Sequence, residues 1–176
     1  MSLYDKYYKK DKYFGNPYPD LVKFFAEYPQ RGKLADLGAG QGRDAIALQD
    51  MGYAVTAVDI SAVGLQQIEQ ADPRIKTALA DVYAYDIKDY DFILLDSMLH
   101  FYKKDMEKER QWAARLMGDM KAGAVLVNCM LASKKAERIL RGILQSFSDS
   151  FEIIVDKYID YPEAGCEFHF LVVKKI

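Results

Sequence analysis

The sequence predicts an α/β fold built on a mostly parallel sheet, and three observations carry that reading. Short apolar runs alternate with amphipathic stretches of helical period along most of the chain, the pattern of buried strands and their crossover helices. One apolar run, ending at Leu37, turns through Gly38, Gly40 and Gly42 straight into a helix, as in the opening unit of a doubly wound sheet. After the last helical stretch two strand patterns follow one another, 151–159 and 167–173, so the sheet ends on a strand pair.

Taken in order, residues 4–16 form a polar, tyrosine-laden segment predicted to be helical as far as Gly15. Pro19 suits the first turn of a helix over Asp20–Glu27, with Leu21, Phe24 and Phe25 on its buried face. The first strand leads into the glycine turn and a helix from Asp44 to Met51, closed by Gly52. Tyr53–Asp59 is the second strand, and Ser61 is a plausible cap for a helix carrying Val63, Leu65 and Ile68 and ended by Asp72-Pro73. Ile75–Ala80 is the third strand, and the continuously apolar Asp91–Asp96 is the fourth. A helix over 104–120 buries Trp112, Leu116 and Met120; strand five is Ala124–Asn128; the helix from Ser133 to Phe147 buries Ile139, Ile143 and Leu144.

The turn narrows the ligand. Glycine lets the backbone turn sharply and press against a bound group, and the free N–H groups of the following helix suit a polar or anionic one. A dinucleotide fingerprint needs G-x-G-x-x-G, whereas this chain reads D-x-G-x-G-x-G from Asp36 to Gly42. A second acid, Asp59, ends the next strand about 20 residues on, placed at a solvent-lined strand end to accept hydrogen bonds from ribose hydroxyls.

That pattern resembles motif I of the class I S-adenosylmethionine-dependent methyltransferases. Ala80-Asp81-Val82 resembles the family's next motif, and Gly40-Gln41-Gly42-Arg43-Asp44 with Ala47-Leu48 looks like the small bacterial methyltransferases of the tellurite-resistance and thiopurine type. The resemblance implies a Rossmann-like fold of seven strands, mostly parallel with the last antiparallel, and helices on both faces. It implies one S-adenosylmethionine-binding domain over 1–176, with a helical cap at 1–30 and the core at 31–176. It also implies cofactor contacts from Asp36, Gly38, Ala39, Gly40, Gly42, Arg43, Asp59, Ile60, Asp81, Val82 and Asp96. Asp36 would hold the methionyl ammonium, Asp59 the ribose, and Asp81 the adenine amine while Val82 covers the ring. Pro17-Tyr18-Pro19 departs from the narrower family, which has a more polar cofactor contact there, so that family's substrate does not carry over.

Methyl transfer from a sulfonium is an in-line displacement, in which aligning the reactants and excluding water supply most of the gain. No triad is required and none is visible. His100, a few residues past the fourth strand, is the candidate general base for a protonated nucleophile, because an imidazole accepts protons near neutral pH. Tyr8, Tyr13, Tyr18, Met98, Tyr102 and Tyr161 are candidates for the substrate pocket, since binding clefts are rich in aromatic side chains. His169, within a strand, reads as structural. A non-catalytic S-adenosyl-binding protein or complex subunit is the alternative, and an NAD-dependent oxidoreductase a weaker one.

Composition excludes other classes. At 176 residues the chain fits one domain with a sizeable core, and a net charge of −2 leaves no basic footprint for nucleic acid. The tetrad of amino-methylating DNA enzymes is replaced by Asp96-Ser97-Met98-Leu99, and Cys129 follows Asn128 rather than proline. Two cysteines make no disulfide framework, and two histidines with no cysteine pair at ligand spacing give no metal centre. Without a signal peptide or an apolar run near ~18 residues, the expectation is a cytoplasmic monomer or homodimer acting on a small molecule, with no membrane partner.

Overall fold

The computed structural model describes residues 5–10, 13–161 and 165–176. Its strands form a seven-stranded sheet in the order β3-β2-β1-β4-β5-β7-β6. By its internal contacts the chain divides into two compact units, residues 1–85 and 86–176.

In the first unit, helix α1 (Pro19–Glu27) precedes strand β1 (Lys33–Leu37), helix α2 (Arg43–Asp50), strand β2 (Ala54–Asp59), helix α3 (Ala62–Ala71) and strand β3 (Lys76–Leu79). β2 pairs parallel with β1 and β3, Asp36 opposite Ala57 and Asp59 opposite Leu79. β1 and β2 are buried at every position after the first, as strands covered on both faces must be. Pro19 opens α1, where its missing N–H is no loss. Leu21 and Phe25 are its buried residues, while Phe24 packs edge-on against Phe25 and is only half-buried. Tyr53 meets the Phe25 ring edge to face and donates its hydroxyl to the Phe25 carbonyl at 2.9 Å. Burial raises the Tyr53 pKa, which keeps the phenol a donor. Ser61 caps α3, accepting the Gly64 N–H. Val63 on that helix is exposed rather than buried, and Gly64 takes the inward place.

The described residues of the segment expected to be helical as far as Gly15 form no helix. Residues 5–9 run through turns: the Tyr7 carbonyl takes the Lys10 N–H in a single turn, and the carbonyls of Tyr8 and Lys10 go to side chains of neighbouring elements. The Tyr8 carbonyl accepts from Gln67 Nε2 at 2.8 Å, and the Lys10 carbonyl from Gln41 Nε2 at 3.0 Å. Residues 4, 11 and 12 of that reading lie outside the described residues.

In the second unit, strand β4 (Phe92–Asp96) is followed by helix α4 (Met106–Asp119), strand β5 (Val125–Leu131), helix α5 (Lys134–Ser146) and strands β6 (Phe151–Tyr161) and β7 (Cys166–Lys175). β5 runs parallel to β4 and antiparallel to β7, and β6 pairs antiparallel with β7 through a bulge near Ile153. β5 outruns its sequence pattern by three residues because its ladder with β7 continues to Leu131 opposite Phe168. On α5 the inward stripe is Ala136, Leu140, Ile143 and Leu144; Ile139 is half-buried beside it. Burying each large aliphatic side chain there contributes about 1.5–3 kcal/mol. Arg141 of α5 grips Asp156 of β6 with two bonds, at 2.7 and 2.9 Å, and His169 of β7, fully buried, bonds the same carboxylate at 2.8 Å. Lys175 of β7 caps the end of α4, donating to the carbonyls of Met117 and Gly118 at 3.0 and 2.8 Å.

Candidate functional site

The glycine turn between β1 and α2 is bound to the end of β2 by a carboxylate. Asp59, 6% exposed rather than solvent-lined, accepts the Gly40 N–H on Oδ2 at 2.9 Å and the Ser61 N–H on Oδ1 at 2.8 Å. A carboxylate offers roughly four lone-pair sites, so each oxygen keeps one for a further donor such as a ribose hydroxyl. Gly38 and Ala39 donate their N–H groups to the Val58 carbonyl at 2.8 and 3.1 Å, and Gly42 caps α2 with a left-handed φ of +83°. Helix α3 closes on this turn so tightly that a Cβ on Gly64 would sit 2.2 Å from the Gly40 carbonyl oxygen. Gly64 was not legible as a site residue, because nothing local marks a close approach made by the fold.

Asp36, the penultimate residue of β1, precedes the turn and is 3% exposed. Its Oδ2 is buried without a hydrogen-bond partner. Burial pushes its pKa well up, the Asp44 and Asp59 charges push the same way, and Arg43 and an Ala45 N–H oppose. Asp44 is buried too, its pKa also raised by burial against the pull of Arg43, which pairs with it at 2.8 Å. The Arg43 guanidinium also covers the Tyr18 ring, 4.8 Å from its centroid. An unpartnered buried carboxylate oxygen beside a glycine turn is fitted to receive a cation, and the ammonium of a methionyl group has that chemistry.

The N-terminal segment packs against the same turn. Tyr8 is 4% exposed, with its hydroxyl 3.0 Å from where a Gly40 Cβ would lie. Asp5 accepts the Ser61 hydroxyl at 2.6 Å, Gln41 bonds Gln67 at 2.9 Å and accepts the Tyr13 N–H at 3.0 Å, and Arg43 reaches the Phe14 carbonyl. Of the candidate pocket tyrosines, Tyr8 and Tyr18 are therefore buried, and Tyr13 is partly exposed. Ile60, 53% exposed, follows Asp59 as an uncovered apolar side chain. Asp81 is exposed, one oxygen accepting the Tyr83 N–H at 2.9 Å, and Val82 beside it is buried.

The second unit carries the remaining candidates. Asp96 ends β4 and accepts the Ser97 hydroxyl at 3.0 Å. In the loop that follows, Met98 and His100 are half-buried, Tyr102 is exposed, and the His100 ring stacks on Tyr102 with centroids 5.2 Å apart. Tyr161 lies at the end of β6 and lines an open hollow with Asp160, Cys166 and Glu167. Among the described residues no cluster of three or more His, Cys, Asp or Glu side chains could hold a metal, and no helix is long and apolar enough to cross a membrane.

The sheet order, the glycine turn and the paired acids define the Rossmann-like fold of the class I methyltransferases. Solved structures share it: the N-methyltransferase NodS of Bradyrhizobium japonicum, with S-adenosylhomocysteine, superposes with a TM-score of 0.75 at 13% identity over 97% of this chain and 95% of that one. The 1,6-didemethyltoxoflavin N-methyltransferase of Burkholderia thailandensis gives 0.71 at 19% over 89% and 77%. Magnesium protoporphyrin IX methyltransferase of Synechocystis gives 0.72 at 20% over the same shares, 89% and 77%. Residues 1–137 match the family described as tellurite resistance protein TehB, and the chain belongs to that family. A Haemophilus influenzae relative described as a probable S-adenosyl-L-methionine-dependent methyltransferase TehB is 33% identical over 110 residues, 56% of this chain. The match spans only 38% of that relative's length.

Proposed function

We propose that this chain is an S-adenosyl-L-methionine-dependent methyltransferase acting on a small-molecule acceptor, with residues 1–176 working as one cofactor-binding domain. The observation that carries the reading is Asp36, whose buried Oδ2 has no partner under a turn made for close approach. The family and the fold support it.

In this reading Asp36 holds the methionyl ammonium and Asp59 the ribose hydroxyls, with Gly38, Ala39, Gly40 and Gly42 lining the turn. Arg43 holds Asp44 and the cap segment in place, Ile60 and Val82 flank the adenine, and Asp81 and Asp96 supply polar contacts at their strand ends. The cofactor supplies an electrophilic methyl group on a sulfonium leaving group. Against a protonated acceptor, the His100 imidazole would take the proton that the acceptor gives up. Tyr8, Tyr13, Tyr18, Met98, Tyr102 and Tyr161 shape the acceptor's surroundings and exclude water.

The test begins with binding. S-adenosylmethionine and S-adenosylhomocysteine should raise the melting temperature and NAD should not. A ligand at about 100 times its dissociation constant stabilises a fold by roughly 2.7 kcal/mol. Transfer of a tritiated methyl group to tellurite, selenite, small thiols and amines then identifies the acceptor. Binding without transfer to any acceptor would mark a non-catalytic S-adenosyl-binding protein, and a shift with NAD alone would overturn the reading. For a hydroxyl or thiol acceptor, His100→Asn should cut turnover by roughly 10²–10⁴-fold while cofactor affinity holds; full turnover would leave proximity as the whole mechanism.

A further inference from the structure

The loop after β4 is folded in a way its own residues disfavour. Ser97 and Phe101 have φ of +55° and +51°, in the left-handed region where a bulky residue is an outlier. Glu109 of α4 holds the middle of this loop from outside. Its Oε2 accepts the His100 N–H at 2.8 Å and, by a still closer approach, the Phe101 N–H. Two successive N–H groups converging on one anion form a nest. The Glu109 side chain is 4% exposed. A buried carboxylate needs donors, so loop and carboxylate stabilise one another: unfold the loop and Glu109 loses its donors, remove the acceptor oxygen and the His100 and Phe101 N–H groups lose their partner.

His100 sits inside this device. Its backbone N–H is one of the two donors, and its ring stacks on Tyr102 just beyond Phe101. In sheets of this kind ligands lie at the carboxyl ends of the strands, which is where the loop stands. We propose that Glu109 is the positioning residue for methyl transfer, fixing the His100–Tyr102 pair at the end of β4 without touching the reactants itself. The proposal rests on the methyltransferase reading above and adds to it a residue that the glycine turn and the two strand-end acids do not point to.

Three variants test it: Glu109→Ala, Glu109→Gln, whose amide oxygen still accepts both N–H groups, and Glu109→Asp, which withdraws the carboxylate by one methylene. The readouts are the His100 imidazole proton resonances, S-adenosylhomocysteine affinity by calorimetry, and turnover of the best acceptor from the panel above. Expected for Glu109→Ala is movement of the His100 resonances out of the Tyr102 ring current, with turnover falling about 10²-fold and S-adenosylhomocysteine affinity unchanged within about 2-fold. Glu109→Gln should restore both, and Glu109→Asp should fall between and serve if the alanine variant does not fold. Combining Glu109→Ala with His100→Asn should cost no more turnover than His100→Asn alone, since residues acting as a unit are non-additive. Unmoved His100 resonances in a folded variant, or full turnover once they have moved, would overturn the proposal. Failure of the wild-type protein to bind S-adenosylhomocysteine would instead sink the methyltransferase reading, and the resonances would still report whether Glu109 holds the loop.

Discussion

Asp36 is kept at a cost to stability. Burial, with Asp44 and Asp59 nearby, raises its pKa in the fold, so the native state binds this proton more tightly than the unfolded chain does. Stability from this group therefore falls as pH rises from the unfolded value, near ~3.9, up through the raised folded value, and the penalty is complete above it. Asp156 runs the other way: Arg141 holds its pKa down, and it contributes stability above the unfolded value that is lost as pH falls through its folded one. The isolated effect is thus the difference between wild type and Asp36→Asn. In urea denaturation at neutral pH Asp36→Asn should be the more stable of the two, and the gap should close as the solution is acidified. The same substitution should weaken S-adenosylhomocysteine binding about 10–100-fold, the loss of one charge-assisted hydrogen bond of roughly 1.5–3 kcal/mol. Wild-type affinity should fall on acidification, because a protonated Asp36 no longer attracts an ammonium; calorimetry across pH checks both. Asp59→Ala should weaken ligand binding and also lower the melting temperature, since it strips the Gly40 and Ser61 N–H groups of their acceptor. Both acids were visible in the sequence because a motif fixes their spacing. Glu109 was not, since its partners are backbone N–H groups whose direction only the folded loop defines.

Among the elements, α3 is the one whose placement decides the shape of the turn. A Cβ at Gly64 would meet backbone, the Gly40 carbonyl, and not a side chain that could swing aside. Gly64→Ala should therefore shift α3 bodily and cost about 1–3 kcal/mol, with weaker S-adenosylhomocysteine binding, despite alanine's better helix propensity. Thermal unfolding and calorimetry on the one variant check both halves. A contrasting substitution is Ser133→Ala at the cap of α5, which accepts the Ala136 N–H at 3.4 Å. It should cost about 1 kcal/mol and leave binding alone. Strand and helix positions were legible because periodicity reports burial directly, and every helix of the first unit begins within a residue of its sequence signal. The N-terminal segment was misread for a physical reason: its tyrosines and lysines have acceptable helix propensity, and the side-chain donors Gln41, Gln67 and Arg43 divert its carbonyls.

For the molecule as a whole, binding should be recorded unevenly along the chain. Amide exchange with S-adenosylhomocysteine present should slow in residues 36–44 and 59–64, where the candidate contacts lie, while the amides of the β6–β7 ladder stay as they were. Uniform protection would place the ligand elsewhere. The strand order of the second unit was legible only through family resemblance, because an apolar run does not state which neighbour it will choose. That order also has a consequence in time. β7 lies between β5 and β6, yet it is translated after both. Until residues 166–175 are in place β6 has no strand to pair with, and the place beside β5 stays empty. Folding therefore leaves two strand edges open, one on β5 and one on β6, and a single strand, β7, closes both at once.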